Sequence, residues 1–77
     1  MAEFIEELTE RETEVIYYVM QSLTNKQIAE VLGITHHTVK AHISSILKKL
    51  MCKNRIELAL FAQARGLSIH HQGLAQP

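Results

Sequence analysis

Residues 24–50, TNKQIAEVLGITHHTVKAHISSILKKL, decide how this chain folds. They open on Thr24 followed three positions later by Gln27, the pairing in which two orphan amides at a helix start are satisfied reciprocally. Gly33 supplies the left-handed backbone that ends a helix, and Thr35 supplies a second start two residues on. Ile28, Ala29, Val31 and Leu32 give the first helix an apolar side; Val39, Ile43, Ile46, Leu47 and Leu50 give one to the second. Two helices joined across Gly33-Ile34-Thr35 have the spacing of a helix-turn-helix, in which the first braces the second.

The same signals recur on both sides. Thr9 with Glu12 and Asn54 with Glu57 are further reciprocal caps, Ser22-Leu23 separates the first two helices, and Gly66 ends the last. Val15, Ile16, Val19 and Met20 form a helical stripe, and no segment alternates as a strand would. The reading is an all-α, four-helix helix-turn-helix domain with helices over 10–21, 25–32, 36–50 and 55–65, the third being the recognition helix. Residues 1–7 read as an arm or linker, 8–67 as the domain, and the polar, Gly- and Pro-containing residues 68–77 as a frayed tail.

Composition narrows the function. Seventy-seven residues make one small domain. One cysteine, Cys52, allows no internal disulfide, and no apolar run approaches the roughly 20 residues that span a bilayer. A cytoplasmic chain without membrane contact is therefore expected. Five histidines invite a metal reading, but His36 and His37 are adjacent and point to different sides of a helix, His42 is displaced from both, and His70 and His71 lie in the tail. The chain has no Asp and no Gly-rich phosphate loop, so no metal, catalytic group or cofactor is expected and the protein does not read as an enzyme.

A net charge of zero hides a steep asymmetry. Residues 1–34 carry seven acids against Arg11 and Lys26; residues 36–55 carry Lys40, Lys48, Lys49, Lys53 and Arg55 with no acid, plus three histidines. Phosphate binding depends on the cations at the contact rather than on net charge. On the third helix, His37, Lys40, Ala41, Ser44 and Lys48 cluster away from the apolar side. The small residues there let the helix axis approach base edges, while Lys40 is long enough for guanine N7 and O6. Thr38 and the amides behind the Thr35 cap suit a phosphate. Charge and small residues alone fit a solvated face as well.

From Leu8 to Leu67 the chain also resembles the LuxR/GerE-type DNA-binding domain, the output domain of NarL/FixJ-like response regulators in two-component systems. The resemblance rests on Leu8-Thr9-Glu10-Arg11-Glu12-Thr13-Glu14-Val15-Ile16, Leu23-Thr24-Asn25-Lys26-Gln27-Ile28-Ala29, Thr38-Val39-Lys40-Ala41-His42, Lys49-Leu50 and Asn54-Arg55-Ile56-Glu57-Leu58. It implies a transcriptional regulator that binds double-stranded DNA through the major groove. Lys40 would be the leading base contact, with His37, Ala41 and Ser44 as specificity positions. Thr38, His42, Thr24, Asn25, Lys26 and Lys48 would sit at phosphates, and the fourth helix would mediate dimerisation. Ser22 and Met51 stand where the family usually has Gly, so those two turns are expected to be built differently or to carry strain.

The fourth helix is apolar nearly all round. Leu58, Ala59 and Ala62 define one side and Ile56, Leu60 and Ala64 another with Phe61 beside them, more than a monomer of this size buries. A homodimer through Ile56, Leu60, Phe61 and Ala64 is expected, with RNA polymerase a further candidate partner. Two alternatives stand. A sigma-factor-like promoter-reading domain resembles residues 8–50 but has no counterpart to residues 53–67. A protein-interaction module without DNA binding would use the fourth helix as its active surface.

Overall fold

The computed structural model describes residues 7–67. Four helices follow in order: α1 (Glu10–Met20), α2 (Asn25–Leu32), α3 (His36–Leu50) and α4 (Arg55–Ala64). Each starts where the sequence places a cap. Thr9 and Thr24 form complete reciprocal boxes with Glu12 and Gln27. Thr35 accepts from the Thr38 amide at 3.0 Å, and Asn54 from the Glu57 amide at 2.8 Å. The Asn54 box is incomplete in an informative way: the Glu57 carboxylate accepts from the Lys53 amide, one residue before the cap. A longer reach backwards satisfies a donor that the tight turn after α3 would otherwise leave to solvent. The N-terminal arm other than Glu7, and the tail from residue 68, lie outside the described residues.

The core gathers one side of every helix. Ile16, Ile28, Ile46, Leu58, Val15 and Val39 are fully buried, with Val19, Ala29, Ile43, Leu50, Ala62 and Leu67 beside them. Each large aliphatic side chain so placed contributes about 1.5–3 kcal/mol of transfer free energy. α1 packs on α3 and α4, and α2 lies on α3. Val31 departs from the sequence reading: it is 54% exposed, because the short α2 turns only Ile28 and Ala29 fully inward.

Three helix ends share one construction. At each, an amide bonds the carbonyl five residues back: Leu23 to Tyr18, Ile34 to Ala29, and Cys52 to Leu47, at 3.1, 3.0 and 2.9 Å. This geometry demands a left-handed residue just before the donor. Those residues are Ser22 (φ 67°), Gly33 (φ 70°) and Met51 (φ 57°). Leu23, Ile34 and Cys52 then fold against the core, the apolar contact that accompanies this cap. The turns at Ser22 and Met51 thus keep a glycine-type backbone without glycine and carry the strain of a Cβ there.

Glu12 is the one buried charged residue among those described, 4% exposed. Its Oε1 accepts from the Thr9 amide at 2.9 Å and from Lys49 Nζ at 2.8 Å; its Oε2 accepts from the Ser45 hydroxyl at 2.9 Å. Lys49 Nζ also donates to the Glu7 carbonyl at 3.0 Å. One carboxylate therefore caps α1 and fastens it to α3. Burial by itself would raise the Glu12 carboxyl, but the bonds from Lys49, Thr9 and Ser45 and the Lys49 charge outweigh it and hold the group below its ordinary value.

Two stability predictions follow from these features. Replacing Ser22 or Met51 by Gly relieves a penalty of about 1–2 kcal/mol against a backbone-entropy cost of about 0.5–1 kcal/mol. Each variant is expected to gain about 0.5–1 kcal/mol, read as a Tm several degrees higher, since both side chains are exposed. For Glu12, a depressed carboxyl contributes stability that is present above the unfolded carboxylate value and is lost as pH falls through the folded one. Glu12→Gln should therefore cost about 2 kcal/mol near neutrality and flatten the acid limb of stability against pH. Parallel acid limbs in denaturant titrations of the two proteins would contradict the assignment.

Candidate nucleic-acid interface

α3 has a buried back and an open front. Val39, Ile43, Ile46 and Leu50 face the core, while His37, Lys40, Ala41, Ser44 and Lys48 are exposed. No acid lies on that front, because α3 contains none. The methyl of Ala41 and the hydroxymethyl of Ser44 leave room for a close approach, flanked by the long cations Lys40 and Lys48 about two turns apart. Thr38 and His42 are half-buried on the edges of this face. The Thr38 hydroxyl is 2.8 Å from that of Thr35, which holds it at the helix start.

The start of α2 supplies the second part. Thr24 and Lys26 are exposed and Asn25 is half-buried. The Thr24 hydroxyl caps Gln27 at 3.1 Å and its amide donates to Gln27 Oε1 at 2.8 Å, so Thr24 is held by its own helix. Asn25 is held from outside: Arg55, the first residue of α4, donates from Nη1 to Asn25 Oδ1 and from Nη2 to the Leu23 carbonyl. Between the start of α2 and α4 lies an open groove of about 700 Å³ whose lining includes Leu23, Asn25, Lys26, Arg55, Ile56 and Leu60.

The five cations of residues 36–55 therefore do not form one surface. Lys49 is taken up by Glu12 and the Glu7 carbonyl, and Arg55 by Asn25 and Leu23. Lys40 and Lys48 on α3 and Lys53 in the turn after it remain exposed and carry no ion pair among the described residues, as does Lys26 on α2. Charge counting alone does not separate the two groups. Partners at separations of 30 and 37 residues decide which cation turns inward, and no periodicity in the sequence reports a pair so distant. Ser45 carried one faint signal, a polar residue at the margin of the apolar stripe of α3.

On α4, Leu58 and Ala62 are buried and Ala59 is half-buried. Ile56 and Leu60 stand 72% and 62% exposed, with Ala64 exposed one turn further. Phe61 does not join them fully: it is half-buried against the core, and the Arg65 guanidinium lies over its ring at 5.0 Å. The surplus apolar surface is thus a single stripe at i, i+4, i+8. No helix among the described residues is long and apolar enough to cross a membrane, and no three His, Cys, Asp or Glu side chains among them come together as for a metal ion. His70 and His71 lie outside those residues.

Comparison with known proteins gives this geometry a family. Residues 6–62 match the model of the GerE family, described as bacterial regulatory proteins of the luxR family. The chain is 50% identical over 60 residues to the nitrate/nitrite response regulator protein NarP of Escherichia coli, covering 77% of this chain and 28% of NarP. It is 44% identical over 63 residues to the transcriptional regulatory protein LnrK of Bacillus subtilis, covering 82% of this chain and 29% of LnrK. To LiaR, also of Bacillus subtilis, it is 44% identical over 62 residues, 80% of this chain and 29% of that protein. The chain spans less than a third of the length of these relatives. The matched region runs through both helices of the helix-turn-helix and on into α4, the segment that a sigma-like domain lacks, and the chain accordingly belongs to the luxR family of bacterial regulatory proteins.

Proposed function

We propose that this domain binds double-stranded DNA by inserting the exposed face of α3 into the major groove, and that it regulates transcription as the output unit of a response regulator or as a short regulator in its own right. The observation that carries the proposal is the front of α3. It is a 15-residue helix with four residues buried behind it and an acid-free front of His37, Lys40, Ala41, Ser44 and Lys48. Lys40 reads a base and the smaller side chains set the distance at which it does so. Lys48, His42 and Thr38 contact phosphates on the flanks of α3, and Thr24, Asn25 and Lys26 contact them from the start of α2.

Selection of bound sites from random duplexes tests the reading as a whole. Recovery of a defined sequence supports it; capture of no DNA sinks it and favours a protein-interaction module working through α4. Within the selected site, Lys40→Ala should cost about 1–3 kcal/mol and relax preference at one base position. Lys48→Ala should instead weaken all sequences evenly and lower the slope of log affinity against log salt by about one. Equal losses on selected and random DNA for Lys40→Ala would contradict base readout.

The stripe of Ile56, Leu60 and Ala64 fits a two-fold pairing with a second copy, which would read two half-sites in an inverted repeat. Leu60→Glu should then weaken binding to a two-half-site duplex much more than to a single half-site, with an unchanged thermal transition. Equal losses on both duplexes would remove α4 from the assembly.

A further inference from the structure

We infer that Arg55 is a positioning residue for DNA binding: through its hydrogen bond to Asn25 it turns the amide of Asn25 so that its NH2 group faces the phosphate backbone. The inference rests on the reading of α2 as a phosphate-contacting element. It adds a residue, on a different helix, that touches no DNA itself.

The chemistry of the contact leaves one arrangement. A guanidinium has five donors and no acceptor, so the group it bonds on Asn25 must be the amide oxygen. An Asn side chain free to flip would present oxygen or NH2 to its surroundings according to whatever lay nearby. With Oδ1 held by Arg55, Nδ2 is the group left over, and it donates to no described residue. A donor is what a phosphate oxygen requires, whereas the carbonyl in that place would repel it. Arg55 is itself fixed by its second bond, to the Leu23 carbonyl, so the fork spans the turn before α2 and the first residue of α2 together.

The placement of Arg55 argues against a merely incidental contact. It is the first residue of α4, where the helix dipole disfavours a cation. Nor is it a solvated surface charge: it is half-buried, with both terminal guanidinium nitrogens turned across to α2 and its preceding turn. Asn25 and Lys26 both line the groove between the two helices, Asn25 half-buried and Lys26 exposed, so the contact made by Arg55 stands at the edge of an open surface.

The test is a double-mutant cycle on affinity for a short mixed-sequence duplex, which reports phosphate contacts irrespective of the operator. Asn25→Ala is expected to weaken binding about fivefold and Arg55→Met, which has no donor for Oδ1, by a smaller factor, since the freed amide loses its orientation but not its NH2 group; the double variant should bind no more weakly than Asn25→Ala alone. Arg55→Lys, which keeps a cation in reach of Oδ1, should restore most of the loss. Asn25→Asp probes the same point with Arg55 intact: it keeps an acceptor for Arg55 but puts a carboxylate oxygen where NH2 stood. It should bind more weakly than Asn25→Ala while its thermal transition stays at or above that of the parent. An Arg55→Met loss that multiplies with that of Asn25→Ala would overturn the inference, placing Arg55 on DNA directly or in the fold alone. So would an Asn25→Asp chain that binds as well as Asn25→Ala. A parent chain that binds no duplex would instead refute the DNA reading itself, before any variant is compared.

Discussion

A single carboxylate organises this domain. Glu12 sits at the third position of α1, where its side chain completes the cap begun by Thr9, and it is buried against α3, where Lys49 and Ser45 reach it. An ion pair out of water repays its desolvation only when the remaining acceptor positions are also filled. Here three donors, two from α3 and one from the cap of α1, converge on two oxygens. The consequence is orientational: Ser45 and Lys49 are one turn apart on α3, so fixing both fixes the rotation of α3 about its own axis. Apolar packing alone tolerates small rotations of a helix; two directed bonds to one anion do not. The front of α3 is aimed by a contact on its flank.

That contact also sorts the charges. The neutral total and the lopsided distribution along the chain suggest a continuous basic surface, yet the structure divides the basic stretch by job. Lys49 and Arg55 face inward and hold helices together, each replacing water by two protein acceptors. Lys26, Lys40, Lys48 and Lys53 face outward. A smaller set of outward cations brings a weaker and less salt-sensitive attraction to any polyanion than the charge count along the chain suggests.

Much of the architecture is legible in the amino-acid sequence. Helix starts and stops are written in local chemistry: a Thr or Asn with a partner three residues on, a residue able to take positive φ, an apolar repeat of three and four. All four helices begin and end within about one residue of where those signals place them. The exposed front of α3 was legible for the same reason, since it is the complement of a clear apolar stripe. What was hidden were interactions between residues far apart in sequence. Glu12 reads as a cap and surface charge, and only the packing of α1 on α3 makes it a buried hub. Asn25 reads as a simple surface donor, and only the approach of α4 shows that another helix sets its orientation. Phe61 reads as surplus apolar surface on an apolar helix; which of its neighbours turn inward depends on where α1 lies. Ser22 and Met51 fall between the cases. The sequence marks the positions at which glycine is wanted, and the backbone adopts positive φ there all the same, because the carbonyls five residues back still need their donors.

The four helix caps have a kinetic side. Each is closed within three or four residues, so every helix can begin without waiting for a distant part of the chain, and the loops that bring helices together are only a few residues long. Chains whose native contacts are this local fold at the fast end of the scale, in microseconds to milliseconds, because little loop-closure entropy is lost before packing begins. The bonds that Lys49 brings to Glu12 and Arg55 to Asn25 span 37 and 30 residues, so each closes only where two helices already stand side by side.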